Sequence, residues 1–451
     1  MSLHQLLQAR AAAGKPLRVA LIGAGKFGAM YLAQAKHTPG IHIVGIADLA
    51  PERARSALAR TGWQTERYAA RSIAEAGRAG TTWIGDDALA LIAAPEVEIV
   101  IDATGNPAAG IAHALACCTH GKHVVMVNVE ADALAGPLLA QRARAAGIVY
   151  SLAYGDQPAL ICEMVDWGRA AGFEIVAAGK GTKYLPAYHA STPDTVWPHY
   201  GFSAATVAAG DFNAQMFNSF LDGTKSAIEM AAVANATGLT PAPAGLGFPA
   251  CGVDDLPRLL KPRAEGGLLH HAGQVEVISS LERDGRPVFR DLRWGVYVTF
   301  RAGDATGEDY VRRCFGEYGF STDPSGRYAA MYKPYHAIGL ELGISVASAG
   351  LRREPTGQAT GWHADVVATA KRDLGAGETL DGEGGYTVYG TLTPAADALR
   401  LGGVPLGLTH GVVLTQAVAA GQPVRWAGVR APARSLALDF RREMERVLAP
   451  A

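Results

Sequence analysis

Short apolar runs alternate with stretches of helical period along the first third of the chain. Leu17–Ile22 and Ile41–Ala47 are strand-like runs, and in the segments that follow each of them, to about Lys36 and over Pro51–Arg60, apolar residues return every three or four positions. That is a βαβ unit, whose strands belong in a parallel sheet. The rhythm continues with a strand at 97–103, a helix over Pro107–His120, a strand at 122–127, a helix at 132–146 and a strand at 148–151. The fold class is therefore α/β, and a Rossmann-type doubly wound parallel sheet of about six strands is complete near Ser151.

Beyond Ser151 the pattern changes. A helix to about residue 171 is followed by a strand at 174–178 and a glycine-flanked turn, Gly179-Lys180-Gly181-Thr182-Lys183-Tyr184. Residues 213–238 read as one helix that is apolar over most of its circumference, with Met216, Phe217, Phe220, Leu221, Ile228 and Met230, so it is expected to be buried. From about His363 the chain breaks into short β-prone stretches, 386–392 and 411–415, separated by glycine turns. Three domains follow: 1–151 for dinucleotide binding, an α+β substrate, catalytic and dimerising domain at 152–360, and a small β-rich module at 361–451.

Composition narrows the functional classes. At 451 residues the chain is about three times a usual domain length. With 41 basic and 42 acidic residues, and no block of like charge, it offers no electrostatic basis for binding nucleic acid or a membrane surface. Its partners are expected to be a small-molecule substrate and a second copy of itself. The five cysteines show neither a disulfide framework nor zinc-ligand spacing. The N-terminal segment lacks the apolar core of a signal peptide, and no run is long enough to span a bilayer, so a cytoplasmic location is expected.

The chemistry of the first domain lies in Gly23-Ala24-Gly25-Lys26-Phe27-Gly28, which ends a strand and opens a helix. Gly23 permits the turn, Gly25 lets a pyrophosphate approach the helix N-terminus, and Gly28 lets helix and strand pack closely. Asp48 closes the next strand, twenty residues past Gly28, where it would accept hydrogen bonds from the adenosine ribose. Asp48 should repel a 2′-phosphate, while Arg53 and Arg55 could turn towards one, so NAD and NADP both stay open. Thr104-Gly105-Asn106-Pro107 and Asn128-Val129-Glu130 follow later strands and would border the nicotinamide.

In the middle domain, Lys180 and Lys183 on their turn suit a phosphate or carboxylate. On the long helix, Asn218, Asp222, Lys225 and Glu229 recur at spacings of four, three and four, which aligns them in one polar stripe. Such a stripe is either a structural ion-pair ladder or the lining of a cleft, and the apolar surroundings favour the cleft. Lys225 would polarise a carbonyl or protonate the alkoxide as hydride arrives, with Asp222 and Glu229 tuning it or holding a divalent cation. His189, His199 and His336 are further candidates for proton transfer.

Four segments also carry a family resemblance: Ala20 through the glycine loop to Gly28, Met126-Val127-Asn128-Val129-Glu130, Gly155-Asp156-Gln157-Pro158 and Asp222-Gly223-Thr224-Lys225. Together they resemble the homoserine dehydrogenase-related oxidoreductases described as 1-deoxy-D-xylulose 5-phosphate reductoisomerase-like. The resemblance implies a C-terminal SAF-type domain, opening here at 368–380, and NADPH-dependent conversion of 1-deoxy-D-xylulose 5-phosphate to 2-C-methyl-D-erythritol 4-phosphate, an early step of isoprenoid synthesis. That reaction asks for a divalent cation (Mg or Mn), for which Asp156, Glu163, Asp222 and Glu229 are the candidate ligands, and a cationic grip on phosphate from Lys180, Lys183 and Lys225. The metal-binding acidic motif of the ordinary reductoisomerases has no recognisable counterpart here. The first functional reading is thus an NAD(P)-dependent oxidoreductase acting on a small phosphorylated or carboxylated hydroxy-carbonyl compound. A dehydrogenase of homoserine or of a sugar acid is the alternative enzyme, and a dinucleotide-sensing regulatory protein is the alternative of another class.

Overall fold

A computed structural model of the chain describes residues 2–209, 212–303, 308–430 and 433–449. The chain divides into two compact units, one of Met1–Glu163 with His336–Thr360 and the other of Met164–Tyr335 with Gly361–Ala451.

In the first unit, β1 (Leu17–Ile22), β2 (Ile41–Ala47), β3 (Trp83–Gly85), β4 (Ile99–Asp102), β5 (His123–Met126) and β6 (Tyr150–Leu152) form one parallel sheet in the order β3-β2-β1-β4-β5-β6. This is the doubly wound sheet that the apolar rhythm predicts, and its order reverses between β1 and β4, where such sheets bind ligands outside the strands' carboxyl ends. Val19, Leu21, Ile99 and Ile101 are fully buried. Covering on both faces explains why these strands read as continuous apolar runs. The pattern located five strands and missed β3, which is too short to show a period.

Residues 336–360, expected in the middle domain, pack instead with this sheet. Leu342, Val346 and Ala347 share a core with Leu17, Val19 and Ile99. Leu152 N donates to Gly357 O at 2.7 Å and Thr356 N to Ser151 Oγ at 2.9 Å.

The helix Val129–Ala145 carries Asp132, which is fully buried and accepts a hydrogen bond from Tyr150 Oη at 2.9 Å. Burial pushes this carboxyl up from 3.8 to about 7. A raised carboxyl pKa means that the folded chain holds the proton more tightly than the unfolded one. The stabilisation is complete below pH 3.8 and is lost as pH rises towards about 7. Asp132→Asn should therefore remove a downward slope of stability over that window, as read by denaturant unfolding at stepped pH. An unchanged slope would contradict the assignment.

In the second unit, β7 (Phe173–Thr182), β8 (Gln274–Ser279), β9 (Val296–Ala302), β10 (Ser321–Thr322) and β11 (Tyr328–Lys333) form a mixed sheet in the order β10-β11-β9-β7-β8, in which β7 and β8 are parallel. A hairpin of β12 (Ala364–Ala370) and β13 (Val388–Pro394) follows. The helix Thr224–Thr237 packs against both sheets and is buried nearly all round. Thr224 Oγ1 accepts from Gly390 N at 2.9 Å. At the other end Asn235 Oδ1 accepts from His363 N at 2.7 Å and Ala364 N at 3.0 Å. With the helix pinned to the hairpin at both ends, residues 361–451 fold with 164–335 rather than as the separate module expected from their turn-rich pattern.

Two further expectations change. The single helix at 213–238 is two helices, Ala214–Leu221 and Thr224–Thr237, because Gly223 takes a φ of 88° that ends the first and starts the second. The polar stripe is thereby divided at Asp222. The segment around Lys180 is not a turn, since β7 runs through to Thr182. Its glycines are there for close approach: a Cβ at Gly179 would strike Glu276 O, and one at Gly181 would strike Leu292 O.

Candidate functional site

In the first unit the glycine loop has the turn and the close backbone approach that its spacing predicts. Gly23, with a φ of 93°, follows β1 so closely against β4 that a Cβ would lie 2.6 Å from Ala103 O. A Cβ at Gly28 would lie 2.5 Å from Gly23 O, whereas one at Gly25 meets nothing within 4 Å. Gly25 is the N-cap of the helix Lys26–Ala35 and has no side chain with which to cap it. The first-turn N–H groups, those of Lys26 and Phe27 among them, thus face an approach that is sterically open, which fits a pyrophosphate.

Asp48 is buried at the end of β2, where its Oδ2 accepts from Ala24 N at 2.8 Å and its Oδ1 from Ala50 N at 2.9 Å. Arg53 stands 3.9 Å from Oδ1 with its side chain largely exposed. The expected ribose ligand is therefore also a brace that ties the glycine loop to β2. Part of its charge is met by two backbone N–H groups and a guanidinium, which weakens its repulsion of a 2′-phosphate.

Thr104 and Asn128 meet on a residue that the sequence pattern passed over. Asp102, fully buried at the end of β4, accepts from Thr104 N at 3.1 Å and Thr104 Oγ1 at 2.7 Å on one oxygen, and faces His113 Nδ1 at 2.5 Å on the other. Asn128 Nδ2 donates to Thr104 Oγ1 at 3.0 Å and to Asn106 O at 2.7 Å, while its Oδ1 caps the helix that begins at Val129. This network fixes the loop containing Gly105, which takes a φ of 65°, and places half-buried Glu130 in the first turn of the capped helix. An aspartate at the end of an otherwise apolar, doubly covered strand was the signal for Asp102.

Gly155, with a φ of 92°, lies where a Cβ would be 2.7 Å from Ala337 O. Beside it Asp156 Oδ1 accepts from Gln157 N at 2.9 Å, and Glu163 accepts from Tyr154 Oη at 2.5 Å. These two metal candidates belong to the first unit.

The second unit gathers Asp222, His189, Asn218 and Lys371 at the break between its two helices. Asp222 and Lys371 are both buried, with Nζ 2.7 Å from Asp222 Oδ2. The ammonium also donates to Ser191 O at 2.7 Å and Gly385 O at 2.8 Å. Asp222 Oδ1 accepts from Thr224 N at 2.9 Å. Burial pushes the Asp222 carboxyl up, and Lys371 and Thr224 pull it back. Asn218 is fully buried, accepting from Ser191 Oγ at 2.6 Å and donating to Gly384 O at 2.9 Å.

His189 Nδ1 lies 2.7 Å from Asp222 O, which can only accept, so Nδ1 carries the proton and Nε2 accepts from Tyr184 Oη at 2.8 Å. The imidazole stacks on Tyr389 at 4.3 Å, and Tyr184 stacks on Phe248 at 3.9 Å. Burial lowers the His189 pKa and raises Tyr184 to about 12, which keeps both groups neutral near pH 7. Lys371 lay outside the candidates because its neighbours in sequence gave no sign that residues far apart in the chain converge on it.

Lower on the helix, Lys180 and Glu229 form a buried ion pair. Lys180, expected on an exposed turn, is thereby committed to Glu229. Lys183 donates to His199 O. Lys225 is half-buried in the first turn of a helix whose neighbouring residues are fully buried. With Asp222 held by Lys371 and Glu229 by Lys180, two of the four proposed acidic metal ligands are already ion-paired, while Asp156 accepts from Gln157 N and Glu163 from Tyr154 Oη. Among the described residues no group of three His, Cys, Asp or Glu side chains has the arrangement to hold a metal. The described residues do not fit a divalent cation.

Residues 17–126 match the family model described as oxidoreductase family, NAD-binding Rossmann fold, and residues 155–342 match that of oxidoreductase DRL, catalytic domain. The chain thus holds a segment that matches an NAD-binding Rossmann fold and a segment that matches an oxidoreductase catalytic domain. Among solved structures the chain is similar to a homoserine dehydrogenase from Thiobacillus denitrificans, at 18% identity over 50% of each chain with a TM-score of 0.35. It is also similar to an NAD binding oxidoreductase from Klebsiella pneumoniae, at 15% identity over 73% of this chain and 68% of that one, with a TM-score of 0.32. A third similarity is to a biliverdin reductase from Synechocystis sp. PCC 6803, solved with biliverdin and NADP+, at 20% identity over 43% and 55% of the two chains and a TM-score of 0.27. The chain spans about half the length of two of these three structures. No curated protein matches it at a significant level. Among the described residues no helix is long and apolar enough to cross a membrane.

Proposed function

We propose that the protein transfers hydride between NADPH or NADH and a small phosphorylated or carboxylated hydroxy-carbonyl compound, with Lys225 handling the proton at the substrate oxygen. The observation that carries this reading is the turn Asp222-Gly223-Thr224-Lys225, held rigid by the buried Asp222–Lys371 pair within the segment that matches an oxidoreductase catalytic domain. The dinucleotide supplies the hydride when bound. The chain's own residues do the rest: the first-turn N–H groups behind Gly25 hold the pyrophosphate, and Asp48 braces that loop. In the second unit a rigid turn presents the Lys225 ammonium, which polarises a carbonyl and gives its proton as the oxygen becomes an alkoxide. Neutral His189 and Tyr184 back the same turn through Asp222 O.

Within this class, reductive isomerisation of 1-deoxy-D-xylulose 5-phosphate is the finer reading, supported by the family resemblance; oxidation of homoserine or of a sugar acid is the alternative. Incubating the purified protein with each substrate and with NADPH or NADH, and following the absorbance of reduced nicotinamide, separates them. Turnover of the pentulose phosphate supports the finer reading. Its absence with both cofactors overturns that reading, and turnover of homoserine or a sugar acid instead selects the alternative.

A further inference from the structure

Gly181, the next-to-last residue of β7, lies against the turn at 292–295. A Cβ there would be 3.0 Å from Arg293 N, and Gly181 N donates to Gly295 O at 3.0 Å. The missing side chain brings that turn up to the end of β7, which puts Lys183 and Arg293 in one neighbourhood. Arg293 extends over Trp294, 4.6 Å from the ring centroid, and towards Tyr200 at 6.0 Å. Lys183 reaches the carbonyl of His199, whose ring lies 4.8 Å from Tyr188. Lys183, Arg293 and His199 are all half-buried.

The charges there do not balance. Burial and then Arg293 lower the pKa of Lys183, and burial and then Lys183 lower that of His199. Three other lysines of this unit hold a carboxylate: Lys180 has Glu229, Lys261 has Asp323 and Lys371 has Asp222. Among the described residues neither Lys183 nor Arg293 has such an ion pair. The adjacent acid, Asp291, spends Oδ1 on the backbone N–H of Arg293 at 2.8 Å. Two half-buried cations kept together without an acid are a device for an anion that arrives from solution.

We propose that Lys183 and Arg293 form a binding subsite for a phosphate monoester, with the guanidinium held in place over Trp294 and Tyr200. This rests on the reading above that the substrate is anionic, and it names the anion. A planar guanidinium offers paired donors to two phosphate oxygens, and the ammonium meets the second negative charge.

Calorimetric titration of the full chain with inorganic phosphate tests it. The wild type should show saturable binding. Arg293→Gln and Lys183→Gln should each weaken it about tenfold or more, as expected for a charged hydrogen bond lost from a partly buried site. Arg293→Lys should keep a larger share of the affinity than Arg293→Gln, which provides a readout if the glutamine variant folds poorly. Binding should persist in protein saturated with NADPH. Absence of saturable binding, unchanged affinity in both glutamine variants, or abolition of binding by NADPH would overturn the subsite, the last by assigning the ion to the dinucleotide loop. Dinucleotide affinity measured on the same samples reports separately on the oxidoreductase reading, so failure of one does not mimic failure of the other.

Discussion

Lys225→Ala is expected to lower turnover by about 10²- to 10⁴-fold, the usual worth of a positioned proton donor, while leaving NADPH affinity within about twofold of the wild type. The loss should be in kcat, because the ammonium acts on charge that develops as hydride is transferred. Steady-state kinetics on a substrate that turns over, beside an equilibrium titration with cofactor, checks both halves. If Lys225→Ala kept its kcat, the proton donor would lie elsewhere, with Tyr184 backed by His189 the next group to test. A dinucleotide-sensing protein without catalysis would show no turnover in the wild type either.

Lys371→Met should destabilise the second unit by about 3–5 kcal/mol, since it leaves the Asp222 carboxylate buried without its counter-charge. The same change removes the ammonium from Ser191 O and Gly385 O, leaving them Asn218 Nδ2 as donor at 3.1 and 3.4 Å, and loosens the C-terminal segment from the loop that carries His189. Denaturant unfolding measures the loss. Because the cost is mainly that of an orphaned charge, Asp222→Asn combined with Lys371→Met should recover part of it. Equal instability of the single and double variants would show that hydrogen bonds to the carbonyls, rather than the ion pair, dominate.

The first unit was largely legible because its information is local. Each buried parallel strand writes an apolar run, each helix writes its own period, and the glycine loop must lie at the junction of the two. Asp102 escaped notice because it does its work through Thr104, His113 and Asn128, side chains that only the folded sheet brings together. In the second unit the decisive contacts are longer in range. Asp222, Lys225 and Glu229 were found as polar residues in an apolar helix, but their partners come from elsewhere: Lys371 from the end of β12 and Lys180 from β7. The Gly-Lys-Gly run read as a turn because glycine marks turns and close backbone approach alike. Only the positions of Glu276 O and Leu292 O distinguish the two. The unbroken helix was a related error: periodicity carries across Asp222 and Gly223, yet the φ of Gly223 does not continue a helix.

The central claim is that the glycine loop after β1 holds a nicotinamide dinucleotide for redox chemistry. The most direct test is an equilibrium titration of the wild type and of Gly28→Val with NADPH and NADH, read by nicotinamide fluorescence. The wild type should bind at least one of them saturably, at one site per chain. Gly28→Val should lose at least about tenfold in affinity, since even a Cβ at that position would press on Gly23 O at 2.5 Å and displace the loop from the pyrophosphate. Failure of the wild type to bind either dinucleotide, or binding by Gly28→Val as tight as that of the wild type, would contradict it.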